Sequence, residues 1–76
     1  MTLSAKNWLE RYASALGADA PDETDQEILL ELAATAAHAS ERTAAPLACW
    51  LAARSGRSPA DALEVARKVV GPVPEE

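Results

Sequence analysis

The sequence predicts an all-α fold, a compact domain of four helices at about 4–16, 25–40, 45–55 and 59–70. Three observations carry that expectation. Apolar residues recur at three- and four-residue spacings along four separate stretches, capping residues stand at their heads, and glycine or proline punctuates the chain between them. No stretch shows the strict alternation of a half-buried strand. At 76 residues the chain has room for one domain, 1–76, and its last five residues, 72–76, read as a frayed tail.

Trp8, Leu9, Tyr12 and Leu16 form one stripe of the first helix, with Ser4 placed to cap it and Gly17 placed to end it in a left-handed conformation. The next segment, ADAPDETD, has no periodicity and reads as a loop. TDQE, Thr24 to Glu27, has the spacing of a capping box and is expected to open the second helix, helped by Asp25 and Glu27 at the positive end of the dipole. That helix carries Ile28, Leu29, Leu32, Ala36 and Ala39 on one side and Leu30, Ala34 and Ala37 on another, so it is expected at the centre, closed in by the other three helices through its alanines. Pro46 demands a corner between His38 and itself, with the third helix starting either from a Thr43 cap or at Pro46. The expected buried stripe of the third helix is Leu47, Trp50 and Leu51. SPAD then opens the fourth helix, with Ser58 as cap and Pro59 in the first position, where a missing N–H costs nothing. Leu63, Val65, Ala66, Val69 and Val70 give it a broad stripe, and GPVP ends it.

Twelve acidic residues against seven Lys and Arg leave a net charge of −5, which opposes a nucleic-acid partner. The imbalance is uneven. Asp19 to Glu41 holds seven carboxylates and no Lys or Arg, whereas Arg42 to Lys68 holds five basic residues against Asp61 and Glu64. A single cysteine, Cys49, and a single histidine, His38, leave no disulfide and no zinc set. The absence of a signal-like segment and of any apolar run near the roughly 20 residues of a membrane span leads to the expectation of a cytoplasmic protein without membrane contact.

Three residue groups are candidates for function. His38, Glu41 and Arg42 could make a polar corner, an imidazole with a carboxylate to orient it and a guanidinium to hold an anion; the plainer reading has His38 capping carbonyls and the other two paired at the surface. Arg54, Arg57 and Ser58, at the head of the fourth helix, could hold phosphate or a nucleotide, although Asp61 would repel it. Trp8, Tyr12, Leu30 and Trp50 are candidate interface anchors, with the domain's own core as the plainer home for the aromatic rings. Cys49 near a helix N-terminus could be reactive, but a small packed side chain is the ordinary role. A DNA-reading helix-turn-helix is disfavoured because the fourth helix opens SPADALE, without basic residues. No catalytic set and no cofactor is expected.

WL and LG in the first helix, LLELA followed by AH in the second, and then R, AAPL and WL carry a resemblance. From Asn7 to about Val70 the chain resembles a small actinobacterial helical domain family of unknown function, most specifically in AHASERTAAPL. That family is found alone or as a C-terminal extension of proteins related to molybdenum cofactor guanylyltransferase, the nucleotidyltransferase that attaches GMP to molybdopterin. Where the family usually has proline after the arginine, this chain has Thr43, and it lacks the glycine often found two residues after His38. The resemblance implies a setting, molybdenum cofactor maturation, and no site residues. The expected function is a non-catalytic accessory or protein-interaction domain with a protein partner, a nucleotidyltransferase by resemblance, or a second copy. The alternative is an anion- or nucleotide-binding protein.

Overall fold

The computed structural model describes residues 3–69 and has the predicted fold class, four α-helices with no strand among the described residues. They are α1 (Ala5–Leu16), α2 (Glu23–Ala39), α3 (Ala44–Arg54) and α4 (Pro59–Val69). The expectations for Val70 and the tail 72–76 lie outside the described residues.

Local chemistry sets the boundaries. The Ser4 hydroxyl accepts the Asn7 N–H at 3.1 Å, and Gly17, at φ 76°, closes α1 with a Schellman pair: its own N–H reaches the Ser14 carbonyl while the Ala18 N–H reaches that of Ala13. At α2 the expected Thr24 cap is corrected. Asp22 takes that place, its Oδ1 accepting the Asp25 N–H at 2.8 Å, so the helix starts at Glu23 rather than 25. An ionised carboxylate is a stronger acceptor than a hydroxyl and also faces the positive end of the dipole, and the Gln26 amide adds a bond back to the Pro21 carbonyl.

Of the two expected starts of α3 the structure has the first in position, with Thr43 at the cap and Pro46 in the first turn, but without the expected hydroxyl bond. Thr43 is helical in φ and ψ and its hydroxyl caps nothing; the Ala44 and Ala45 N–H groups are instead satisfied by the carbonyls of Glu41 and Arg42. A tight turn thus replaces the side-chain cap, and Pro46 falls inside the first helical turn, where its missing N–H goes unneeded. At α4 the expectation stands: Ser58 Oγ accepts the Asp61 N–H at 3.2 Å and Pro59 is the first residue.

Leu32 (3% exposed), Ala62 and Leu63 form the core, with Ile28, Leu29, Cys49, Ala52 and Ala66 packed around them. The central place of α2 is as expected, since α3 and α4 each pack chiefly against it and only slightly against each other. Two neighbours surround it, not three. Helix α1 makes no close backbone approach to any other helix, so the expectation that it would close the remaining side of α2 is corrected, and Leu30 on that side is 71% exposed.

A second correction concerns α3. Its expected buried stripe faces outward, with Leu47 64% and Trp50 59% exposed and Leu51 exposed beside them, while Ala44, Ala45, Ala48, Cys49 and Ala52 face the body. Methyl-sized side chains let the α3 backbone approach α2 closely, which bulkier residues at those positions would prevent.

Candidate functional site

Leu47, Trp50, Leu51 and Arg54 follow the spacing i, i+3, i+4, i+7 and therefore share one face of α3. The Arg54 guanidinium carbon lies 5.4 Å from the centre of the Trp50 ring, close enough for cation–π attraction. An apolar face topped by a guanidinium-stacked tryptophan is suited to burial against another protein and offers no group that could attack or protonate a substrate.

The polar corner is placed but not assembled. His38, in the last turn of α2, and Glu41 and Arg42, in the connection, are all exposed, and no hydrogen bond or ion pair links them to one another. The candidate anion site is engaged only in part. Arg54 lies over Trp50 and Ser58 takes both the Asp61 N–H through its hydroxyl and the Ala62 N–H through its carbonyl, whereas Arg57 uses its backbone N–H, on Ser55 Oγ at 3.2 Å, and not its guanidinium. Pro59 has no N–H to give an anion.

Of the candidate anchors, Trp8, Tyr12, Leu30 and Trp50 are all exposed, so the plainer expectation that the rings belong to the core is corrected. Trp8 and Tyr12 stack on each other, 5.0 Å between ring centres at 28°, which shields part of each ring without involving the rest of the molecule. Cys49 is half-buried among the core neighbours, and burial pushes its thiol above the ordinary value of 9.0 by penalising the thiolate. That disfavours a nucleophilic role. Among the described residues no group of three His, Cys, Asp or Glu could hold a metal ion.

An apolar concavity lies on the other three helices. Helices α2, α3 and α4 enclose a groove of about 430 Å³ whose floor is Ala36, Ala48, Ala52, Ala62 and Ala66, with Val65 and Leu51 at its rim and Arg57 its one charged residue. Its walls are almost wholly apolar, so it can take up hydrocarbon side chains but offers no convergent polar groups to orient a reacting molecule.

A protein-family profile described as a domain of unknown function (DUF6457) matches residues 2–74. The chain belongs to that family. No curated protein and no solved structure matches it. The DUF6457 match spans all four helices, so the face of α3 and the groove both lie within the family domain.

Sequence reasoning offered Trp50 of the DUF6457 chain as an interface anchor but missed the rest of the α3 face and the groove. It placed Leu47, Trp50 and Leu51 inside because large apolar residues normally define a buried stripe. The signal that could have corrected it is the alanine series Ala44, Ala45, Ala48 and Ala52, which together with Cys49 makes an equally continuous stripe of small residues on the opposite side.

Proposed function

We propose that this protein is a non-catalytic interaction module that docks on a protein partner through Leu47, Trp50, Leu51 and Arg54 of α3. The observation that carries the reading is the inverted orientation of α3, with its large side chains in solvent and its methyl groups in the body. Exposed tryptophan and leucine stabilise nothing in the free chain, and their burial at about 25 cal/mol per Å² is stabilisation released on docking. Trp and Arg are also the residue types that dominate interface energetics.

The partner class we assign is a nucleotidyltransferase of molybdenum cofactor maturation, in the cytoplasm of an actinobacterium. It rests on the resemblance to domains that extend guanylyltransferase-like proteins. Titrating isotope-labelled protein with purified molybdenum cofactor guanylyltransferase should shift the amides of residues 47–54, and Trp50→Ala should weaken binding by about tenfold or more, the loss of roughly 1.4 kcal/mol typical of an interface anchor. No binding would remove the nucleotidyltransferase from the reading. Shifts confined to Ser58–Asp61 on adding GTP or molybdate, with α3 silent, would replace it with anion binding.

A further inference from the structure

Helix α1 and the groove are each incomplete, and each has the shape the other lacks. Helix α1 presents Trp8, Leu9, Tyr12 and Leu16 on one face to solvent, packed on no other helix among the described residues, although an isolated helix of 12 residues is marginal in water. The groove on α2, α3 and α4 is apolar, lined by alanines, and unfilled by any bulky side chain. We propose that α1 is an exchange arm: it lays its stripe in the groove of a second copy and receives that copy's α1 in its own.

Reach favours the second copy over the same chain. The α2 wall of the groove begins at Thr35, twelve residues and so about 18 Å along the helix from Glu23. Residues 17–22 join α1 to α2, and the Schellman turn at Gly17 consumes the first of them. An α1 folded back antiparallel through so short a link puts its stripe beside the first half of α2, level with Glu23 to Glu31, rather than beside Thr35 to Ser40. The arm of another molecule has no such tether.

The exposed area agrees. The chain as a whole exposes 6238 Å², against roughly 4,500 Å² for a folded monomer of its 8.0 kDa. Even subtracting the entire unfolded-chain surface of the nine undescribed residues, about 1,400 Å², leaves several hundred Å² in excess. Half the surface of a cylinder about 18 Å long and 10 Å across, matched by groove wall and counted for two arms, amounts to roughly 1,100 Å², about the least that a specific interface needs. Reciprocal exchange gives a closed two-fold pair in which both grooves are filled. Leu51 borders both this groove and the outward face of α3, whereas Leu47, Trp50 and Arg54 lie outside the groove, so failure of the pair would leave the partner reading standing on those three residues.

The test uses the full chain. Light scattering should give twice the 8.0 kDa chain mass, and Trp8→Glu with Tyr12→Glu should return it to the single-chain mass with helicity of α2–α4 intact. In a Cys49→Ser background, chains bearing Tyr12→Cys mixed with chains bearing Val65→Cys should form a mixed disulfide under mild oxidation. A single-chain mass for the unmodified protein, a pair that survives the Trp8→Glu and Tyr12→Glu changes, or a chain with both cysteines that closes on itself would each overturn the proposal.

Discussion

Cys49 shows how little a residue's identity says before its surroundings are known. A cysteine close to a helix N-terminus is a candidate for a depressed pKa, yet here desolvation acts in the opposite direction and the thiol is pushed up. The native state therefore holds the proton longer than the unfolded chain does. The contribution to stability is complete below the ordinary value of 9.0 and fades as pH rises through the higher native value. Alkylation with iodoacetamide should accordingly run more slowly than for a free thiol at neutral pH, and its rate should still be climbing above pH 9.0. A rate that reaches its plateau near neutrality would show an activated thiolate. The Arg67–Glu31 pair is the opposite case, visible at 3.5 Å yet between two side chains that are both more than half exposed. Screening by water makes such a pair worth little, and it helps to orient α4 on α2 more than it holds the two together.

Caps tell the same story one level up. The start of α2 rests on Asp22, whose carboxylate holds the Asp25 N–H, and the start of α3 rests on no side chain at all. Asp22→Ala should therefore cost about 1 kcal/mol, whereas Thr24→Ala and Thr43→Ala should change stability by a few tenths at most. Urea midpoints of the three variants check this, and a Thr24→Ala loss as large as that of Asp22→Ala would restore the capping box. The four helices were legible in the sequence because Gly17, Gly56, Pro59 and the caps at Ser4 and Ser58 are local signals that need no tertiary context. The facing of α3 was not. Its residues are apolar nearly all round, so periodicity leaves the rotation of the helix undetermined, and close packing against α2 selects the methyl side. The candidate sites were legible only as residue types. The proximity of Arg54 to Trp50, which takes that guanidinium from the anion site, depends on side-chain geometry that spacing permits but does not dictate.

For the whole molecule the governing fact is that three buried residues among the described ones, 3–69, make a small core. Chains of this size rarely draw more than about 3–5 kcal/mol from a core alone, and this one has neither a disulfide nor, among its described residues, a metal set to supplement it. Stability must then be divided unevenly. Amides around Leu32, Ala62 and Leu63 sit in the packed unit and should open only with global unfolding, whereas α1 packs on no other helix among the described residues and should open by itself. If a second copy covers α1, its protection against hydrogen exchange becomes a function of protein concentration, because binding stabilises the covered state by mass action. Exchange measured at two concentrations spanning about a hundredfold should therefore slow α1 amides at the higher one, up to roughly tenfold for a dimer in exchange with its monomer, with a much smaller change near Leu32. Equal α1 protection at both concentrations would mean that the stripe of Trp8, Leu9, Tyr12 and Leu16 is covered within one chain or not at all.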